Sequence, residues 1–245
     1  MEQENPFAGI KTYDNYTRLW QLTGIILLLQ VAVSVIVSIS GDRLGLKLSP
    51  FESILPALLV TGYVSWAMLA GLGVSWRGAF AEWNRDLHGD IKKAFKYLAG
   101  YGLILLVLVV ILLAAYWLRD GGPEHLLKPL EDKNNRESAV LGSVAAASRA
   151  RLLLVLFSAC VVAPVVEEVF FRRIVYTTLR LKRGFWFSAF WSGLLFAAFH
   201  GVAAPLILPV GIYLCWIYER ERRLPVNILL HSMVNFVMIT LKLFI

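Results

Sequence analysis

Charge is scarce in this chain. Asp, Glu, Lys and Arg make up 17% of its 245 residues, where a soluble domain carries about 25%. Hydrophobic residues reach 58% and the mean hydropathy is +0.65, which excludes an ordinary water-soluble fold. Cysteine is nearly absent. The two present, Cys160 and Cys215, fall inside apolar blocks, so no disulfide framework is implied. There is no internal repeat and no low-complexity tract. The first 18 residues are polar and mixed in charge, with no small-residue cleavage site after them, so the mature chain is expected to start near Met1. The net charge of +7 does not indicate nucleic acid, because the cations sit between apolar blocks, as orientation signals do.

What is present is a series of apolar blocks about 20 residues long, the length needed to cross a hydrocarbon core. They lie near Leu19–Ser40, Ser53–Val74, Tyr97–Leu118, Arg151–Tyr176, Phe185–Val202, Ala203–Tyr218 and Leu224–Ile245. The fold expected is an all-α polytopic membrane bundle of seven or eight spans. Ser75–Lys96 mixes Trp76, Phe80 and Trp83 with charges and reads as an amphipathic helix on the membrane surface. Arg119–Arg149, with Gly121-Gly122-Pro123, is the longest polar stretch. It divides the chain into 1–150, transmembrane helices of no assigned role, and 151–245, a core of four spans. With the N-terminus inside, fifteen of the 24 lysines and arginines fall on the inner side, Arg172 and Arg173 among them. The chain therefore reads as a multi-pass protein of a membrane, with a cytoplasmic N-terminus. Its compact size and short connections suggest a prokaryotic plasma membrane.

Three polar patterns interrupt the last hundred residues: Glu167-Glu168-Val169-Phe170-Phe171-Arg172, Phe196-Ala197-Ala198-Phe199-His200 and His231-Ser232-Met233-Val234-Asn235. Ionisable groups at membrane depth disfavour insertion by about 2.5–3.5 kcal/mol each, so they are rare there without a function. Glu168 and Arg172 share a helical face at i, i+4, and Glu167 points about 100° away, free for a separate task. Pro164 should disturb the helix and free backbone carbonyls near the site. Asn227, His231 and Asn235 form a polar stripe, which taken alone fits interhelical packing equally well. Together the groups are what hydrolysis requires: a base, a partner to orient it, and donors for a developing oxyanion.

Spacing constrains the geometry. If the fourth span continues past Arg172 to about Lys182 and turns at Gly184, an antiparallel fifth helix brings His200 level with Glu167, both about 22–25 Å from the turn. The two residues can cooperate only in such a long hairpin.

The order EExxxR, FxxxH, HxxxN in apolar helices resembles the CPBP group of membrane endopeptidases, the type II CAAX protease or Abi family, which includes CaaX proteases and bacteriocin-processing enzymes. Ala163-Pro164 and Ser192–Phe196 flank the motifs in the same sense. The resemblance covers roughly Leu152–Thr240 and leaves the first 150 residues unassigned. It implies hydrolysis of a peptide bond in a membrane-associated peptide or prenylated protein by a glutamate-activated water, with no metal or other cofactor. It implies Glu167 as the general base, His200 holding the water, and His231 and Asn235 as oxyanion donors. Glu168 and Arg172 would be a supporting pair. Two other readings remain. A metal-dependent membrane protease could use Glu167, His200 and His231 as ligands, although no HExxH is present. A non-catalytic scaffold, immunity protein or transporter component could use the same groups for packing or proton relay.

Overall fold

A computed structural model describes residues 5–13, 15–45, 48–117 and 124–244. The expectations about Met1 and Gly121-Gly122-Pro123 lie outside them. Nine helices follow one another among the described residues: α1 (Tyr16–Arg43), α2 (Pro50–Gly71), α3 (Trp76–Asn84), α4 (Leu87–Trp117), α5 (Glu124–Ala147), α6 (Arg149–Arg180), α7 (Phe185–Ala198), α8 (Ala204–Glu221) and α9 (Leu224–Phe244). No strand occurs among these residues. The chain is an all-α polytopic membrane bundle, as its composition requires. Six helices (α1, α2, α4, α6, α8 and α9) are long and apolar enough to cross a bilayer. The remaining apolar block, the fifth in order, forms α7, whose 14 residues rise only about 21 Å at 1.5 Å per residue.

Local sequence explains where the helices begin. At α2 the Ser49 hydroxyl accepts from Glu52 N–H (3.3 Å) while Glu52 Oε2 accepts from Ser49 N–H (2.8 Å), and Pro50 occupies the first turn. Two orphan donors are thereby satisfied at a position that needs no proline N–H. The same Glu52 takes a two-pronged pair from Arg151 Nε and Nη2, both at 2.6 Å. That pair ties the front of the chain to the start of α6. α1 and α4 present exposed Leu28, Val31, Leu103 and Ile111 outward, as lipid-facing helices do, whereas α9 is the most enclosed.

Two expectations change. Ser75–Lys96 is not one surface helix: α3 stops at Asn84, and Leu87 onward belongs to the 31-residue α4, which carries its charged first turns straight into the apolar span. The polar stretch 119–149 is mostly the helix α5, whose Leu141 and Val144 pack on Val155 of α6 and Ile239 of α9. A few well-placed apolar residues in a polar sequence are enough to dock a helix.

The long hairpin holds. α6 runs to Arg180 and α7 starts at Phe185 behind Gly184. α7 and α8 then cross closely at two glycines. A Cβ on Gly211 would fall 2.9 Å from Gly193 Cα and 3.1 Å from its carbonyl oxygen, so only glycine permits this approach.

Cations collect at one end of the bundle. Arg223 binds Asp90 at the start of α4 (2.6 Å), Arg180 binds Glu219 (2.8 Å), and Lys11 donates to the Gly73 carbonyl (2.9 Å). α5 lies at the other end, packed on the start of α6 and the end of α9. In a background lacking Cys160 and Cys215, cysteines at Lys182 and Arg222 should label with a membrane-impermeant thiol reagent from one side of sealed vesicles. A cysteine at Arg136 should label from the opposite side, and labelling of all three from one side would refute this topology.

Candidate active site

α6 is not a regular α-helix. Ser158–Val162 and Glu168–Tyr176 are wide π turns on either side of a short α segment, Ala163–Glu167. Pro164 supplies one cause, since it has no N–H to return to the carbonyl a wide turn earlier. The Ala159 carbonyl, five residues before it, accepts instead from Asn235 Nδ2 of α9 at 2.8 Å. In the second wide turn, the Arg172 carbonyl accepts from Thr177 Oγ1 (2.9 Å) and the Phe171 carbonyl from Ser192 Oγ of α7 (2.9 Å). The Ala159 and Phe171 carbonyls are thus the points where α9 and α7 are pinned to the wide turns of α6.

The two glutamates have opposite surroundings. Glu168 has no exposed surface. One of its oxygens lies 3.0 Å from His231 Nδ1 and 3.1 Å from Arg172 Nη1, and the other accepts from Asn227 Nδ2 at 3.3 Å. Asn227 also donates to the Leu214 carbonyl (2.8 Å), which fixes the amide. Glu167, one residue earlier, keeps 23% of its side-chain surface exposed and has His231 Nε2 at 3.7 Å. His231 therefore bridges the pair. Because a carboxylate can only accept, the imidazole proton sits on Nδ1 toward Glu168, and Nε2 faces Glu167.

Arg172 is equally enclosed, with 0% of its side chain exposed. The sequence had placed it among the inner-loop cations. It lies instead inside the bundle, held by its charge against Glu168 and by the face of Phe196, 4.4 Å from the guanidinium carbon. Its nitrogens lack a well-aligned hydrogen bond, so the pair is an ion pair at 3.1 Å and not a hydrogen-bonded fork.

His200 departs from expectation in one respect. The fifth span was expected to run to Val202, but α7 ends at Ala198 and Gly201 adopts φ +59. A left-handed residue just past a helix end is a glycine position, so His200 stands in the turn beyond α7. Its Nδ1 lies 2.9 Å from the Phe196 carbonyl, and its ring packs 4.8 Å from the Phe196 ring. This leaves Nε2 as the free nitrogen. Glu167, His231 and Lys133 lie close enough to this imidazole to act on it electrostatically. Phe196 also meets His231 edge to face at 5.9 Å, so one buried ring spaces Arg172, His200 and His231.

The fold thus gathers Glu167, Glu168, Arg172, His200 and His231. Asn235 stands one turn beyond His231, with one N–H committed to Ala159. Three participants were not among the candidates. Asn227 was visible as the first member of the stripe with His231 and Asn235, and Phe196 as the first letter of FxxxH. Lys133, which donates to the His200 carbonyl at 3.2 Å, belongs to the polar stretch and gave no sequence signal. Among the described residues, no group of three or more His, Cys, Asp or Glu side chains is arranged to hold a metal ion.

Residues 149–237 match the family described as type II CAAX prenyl endopeptidase Rce1-like. The match covers this stretch alone and leaves residues 1–148 outside it. Every candidate residue from Glu167 to Asn235 lies inside it, and Lys133 lies outside. Over 85 residues the chain is 31% identical to "Putative membrane peptidase YdiL" of Bacillus subtilis (strain 168). That match takes in 34% of this chain and 35% of the relative, so the chain spans about a third of the curated protein it matches. No solved structure matches it. The Rce1-like family and the relative both carry the name of a peptidase.

Removing one member of a buried ion pair leaves the other uncompensated, at a cost of about 3–5 kcal/mol, whereas replacing both with apolar groups can be neutral. Glu168→Ala should therefore lower thermal stability in detergent sharply, and Glu168→Ala with Arg172→Met should restore most of the loss. A double variant no better than the single would show that the pair does not carry this part of the bundle.

Proposed function

We propose that the Rce1-like stretch is an intramembrane endopeptidase that hydrolyses a peptide bond with a water activated by Glu167, and that no metal takes part. The observation that carries this reading is the unequal treatment of adjacent glutamates. Glu168 is fully enclosed and occupied by Arg172, His231 and Asn227, whereas Glu167 is reachable and faces two imidazoles. A carboxylate with spare acceptor capacity beside water-accessible space is suited to general-base work.

In this mechanism water binds between Glu167 and His200, whose free Nε2 accepts one of its hydrogens. Glu167 removes the other proton as the oxygen attacks the scissile carbonyl. The carbonyl oxygen becomes an oxyanion, and donors reach it from the second N–H of Asn235 and from His231, which can donate through Nε2 only as an imidazolium. Collapse of the tetrahedral intermediate breaks the C–N bond, and Glu167 returns its proton to the departing amine. Glu168 and Arg172 remain charged throughout and hold His231 in orientation. The substrate is a membrane-associated peptide or protein, prenylated C-terminal tails being one class that fits the family's name. The cations collected at one end of the bundle support placing that end, with the N-terminus, on the cytoplasmic side.

Glu167→Gln keeps shape and removes the base, so turnover should fall by about 10²–10⁴-fold while the protein stays folded. Proteomic comparison of cells carrying the native chain or this variant should reveal a membrane-associated peptide that accumulates uncleaved. An unchanged set of peptides would remove Glu167 from the mechanism and favour a non-catalytic role.

Asn235→Ala separates two roles. As an oxyanion donor, its loss should lower kcat by about 10²–10³-fold with KM little changed. As a pin to Ala159 alone, its loss should remove only about 0.6 kcal/mol of stability and leave kcat intact.

A further inference from the structure

A cavity of about 720 Å³ lies against α6, and none of Glu167, His200, His231 or Asn235 lines it. Val165, Val166, Val169 and Arg173 form its α6 wall. Positions 165 and 169 are each two residues from Glu167, about 160° around the helix. α2 contributes Trp66 and Leu69, and α3 contributes Trp76, Phe80 and Trp83. α3 buries none of its own residues, and its Trp76 and Phe80 stay exposed. The cavity is therefore apolar and aromatic along its length, with a short amphipathic helix at its edge.

One end is cationic. Lys11, Arg173, Arg222 and Arg223 line it, and Glu82 is the one acidic lining residue. Arg223 is neutralised by Asp90 at 2.6 Å. The other three have no such carboxylate pair among the described residues. Lys11 Nζ donates to the Gly73 carbonyl (2.9 Å), Arg173 Nη2 donates to the Lys11 carbonyl (3.0 Å), and Arg173 Nη1 is buried without a partner. Arg222 is exposed in the α8–α9 turn. Against the single exposed carboxylate of Glu82 the end of the cavity is left with excess positive charge.

An apolar trough closed by unneutralised cations complements a molecule with a hydrocarbon chain and an anionic head. We propose that this cavity holds an anionic phospholipid of the surrounding bilayer, its phosphate against Arg173 and Arg222 and its chain along Trp66, Val165 and Val169. A free anion would gain nothing from the apolar walls, and a zwitterionic lipid would bring its own cation to a cationic end. The lipid wedges α2, α3 and α6 together and takes no part in the chemistry.

The test is native mass spectrometry of the full chain in detergent, titrated with phosphatidylglycerol or with phosphatidylcholine of the same acyl chains. Phosphatidylglycerol should be retained at the lower concentration. Arg173→Gln should weaken that retention about fivefold, the effect of one basic residue on an anionic headgroup. Arg222→Gln, at an exposed turn, should do the same and decides the matter if the Arg173 variant does not fold. Arg183→Gln, off the cavity, and Glu167→Gln should leave retention unchanged, which separates this site from the proposed chemistry. Equal retention of the two lipids would overturn the proposal, as would displacement of bound lipid by a farnesylated tetrapeptide, which would make the cavity a substrate site.

Discussion

A carboxylate and a guanidinium with no exposed surface, in a bundle surrounded by hydrocarbon, must find all their solvation in the protein. Glu168 and Arg172 impose that requirement, and much of the C-terminal half answers it. α9 supplies His231 and Asn227, α7 supplies the face of Phe196, and the carbonyl of Leu214 in α8 fixes the Asn227 amide. Four helices are thus brought into register around one pair of charges. Such a network rigidifies when satisfied and penalises every alternative packing. In lipid, where apolar surface gives helices little reason to associate specifically, this specificity decides which faces meet.

The same network gives adjacent residues different chemistry. Glu168 is enclosed and occupied, whereas Glu167 keeps part of its surface exposed, which the proposed general base requires. His231 links them, its Nδ1 held by the enclosed carboxylate and its Nε2 presented to the reachable one. The wide turns of α6 contribute as well. A helix wound more loosely at 168–176 leaves carbonyls that α7 can hold through Ser192, and the loosened turn at 158–162 gives Asn235 its acceptor.

Much of this was legible in the sequence because lipid makes polar residues conspicuous. Glu167, Glu168, Arg172, His200 and His231 stood out against Val, Leu and Phe, and the midpoint between Glu167 and His200 at residue 183.5 located the hairpin turn. Pro164 announced a disturbed helix. The failures also have physical causes. α5 looked like a polar loop because it docks with only a few apolar side chains, and so Lys133 beside His200 went unnoticed. Ser75–Lys96 looked like one amphipathic helix because charge content alone does not mark the break between Asn84 and Leu87. Arg172 was counted with the cations outside the membrane because Arg173 follows it, yet one residue of rotation puts Arg172 in the interior and Arg173 at a cavity wall. His200 was placed within a helix because the apolar run continues to Val202, although Gly201 ends the helical geometry sooner.

The brevity of α7 has a consequence for the bilayer itself. A helix rising about 21 Å is shorter than a hydrocarbon core of about 30 Å, yet its exposed Trp186, Phe187, Phe190 and Trp191 face outward. Lipid adjoining this flank must thin to meet it, at a fraction of a kcal/mol for each Å of mismatch. The short helix ends at the turn that holds His200, so thinning at that end would bring the bilayer surface toward the candidate site. If Glu167 activates water as proposed, thinning there would shorten the apolar path that the water crosses, and a thicker membrane would lengthen it.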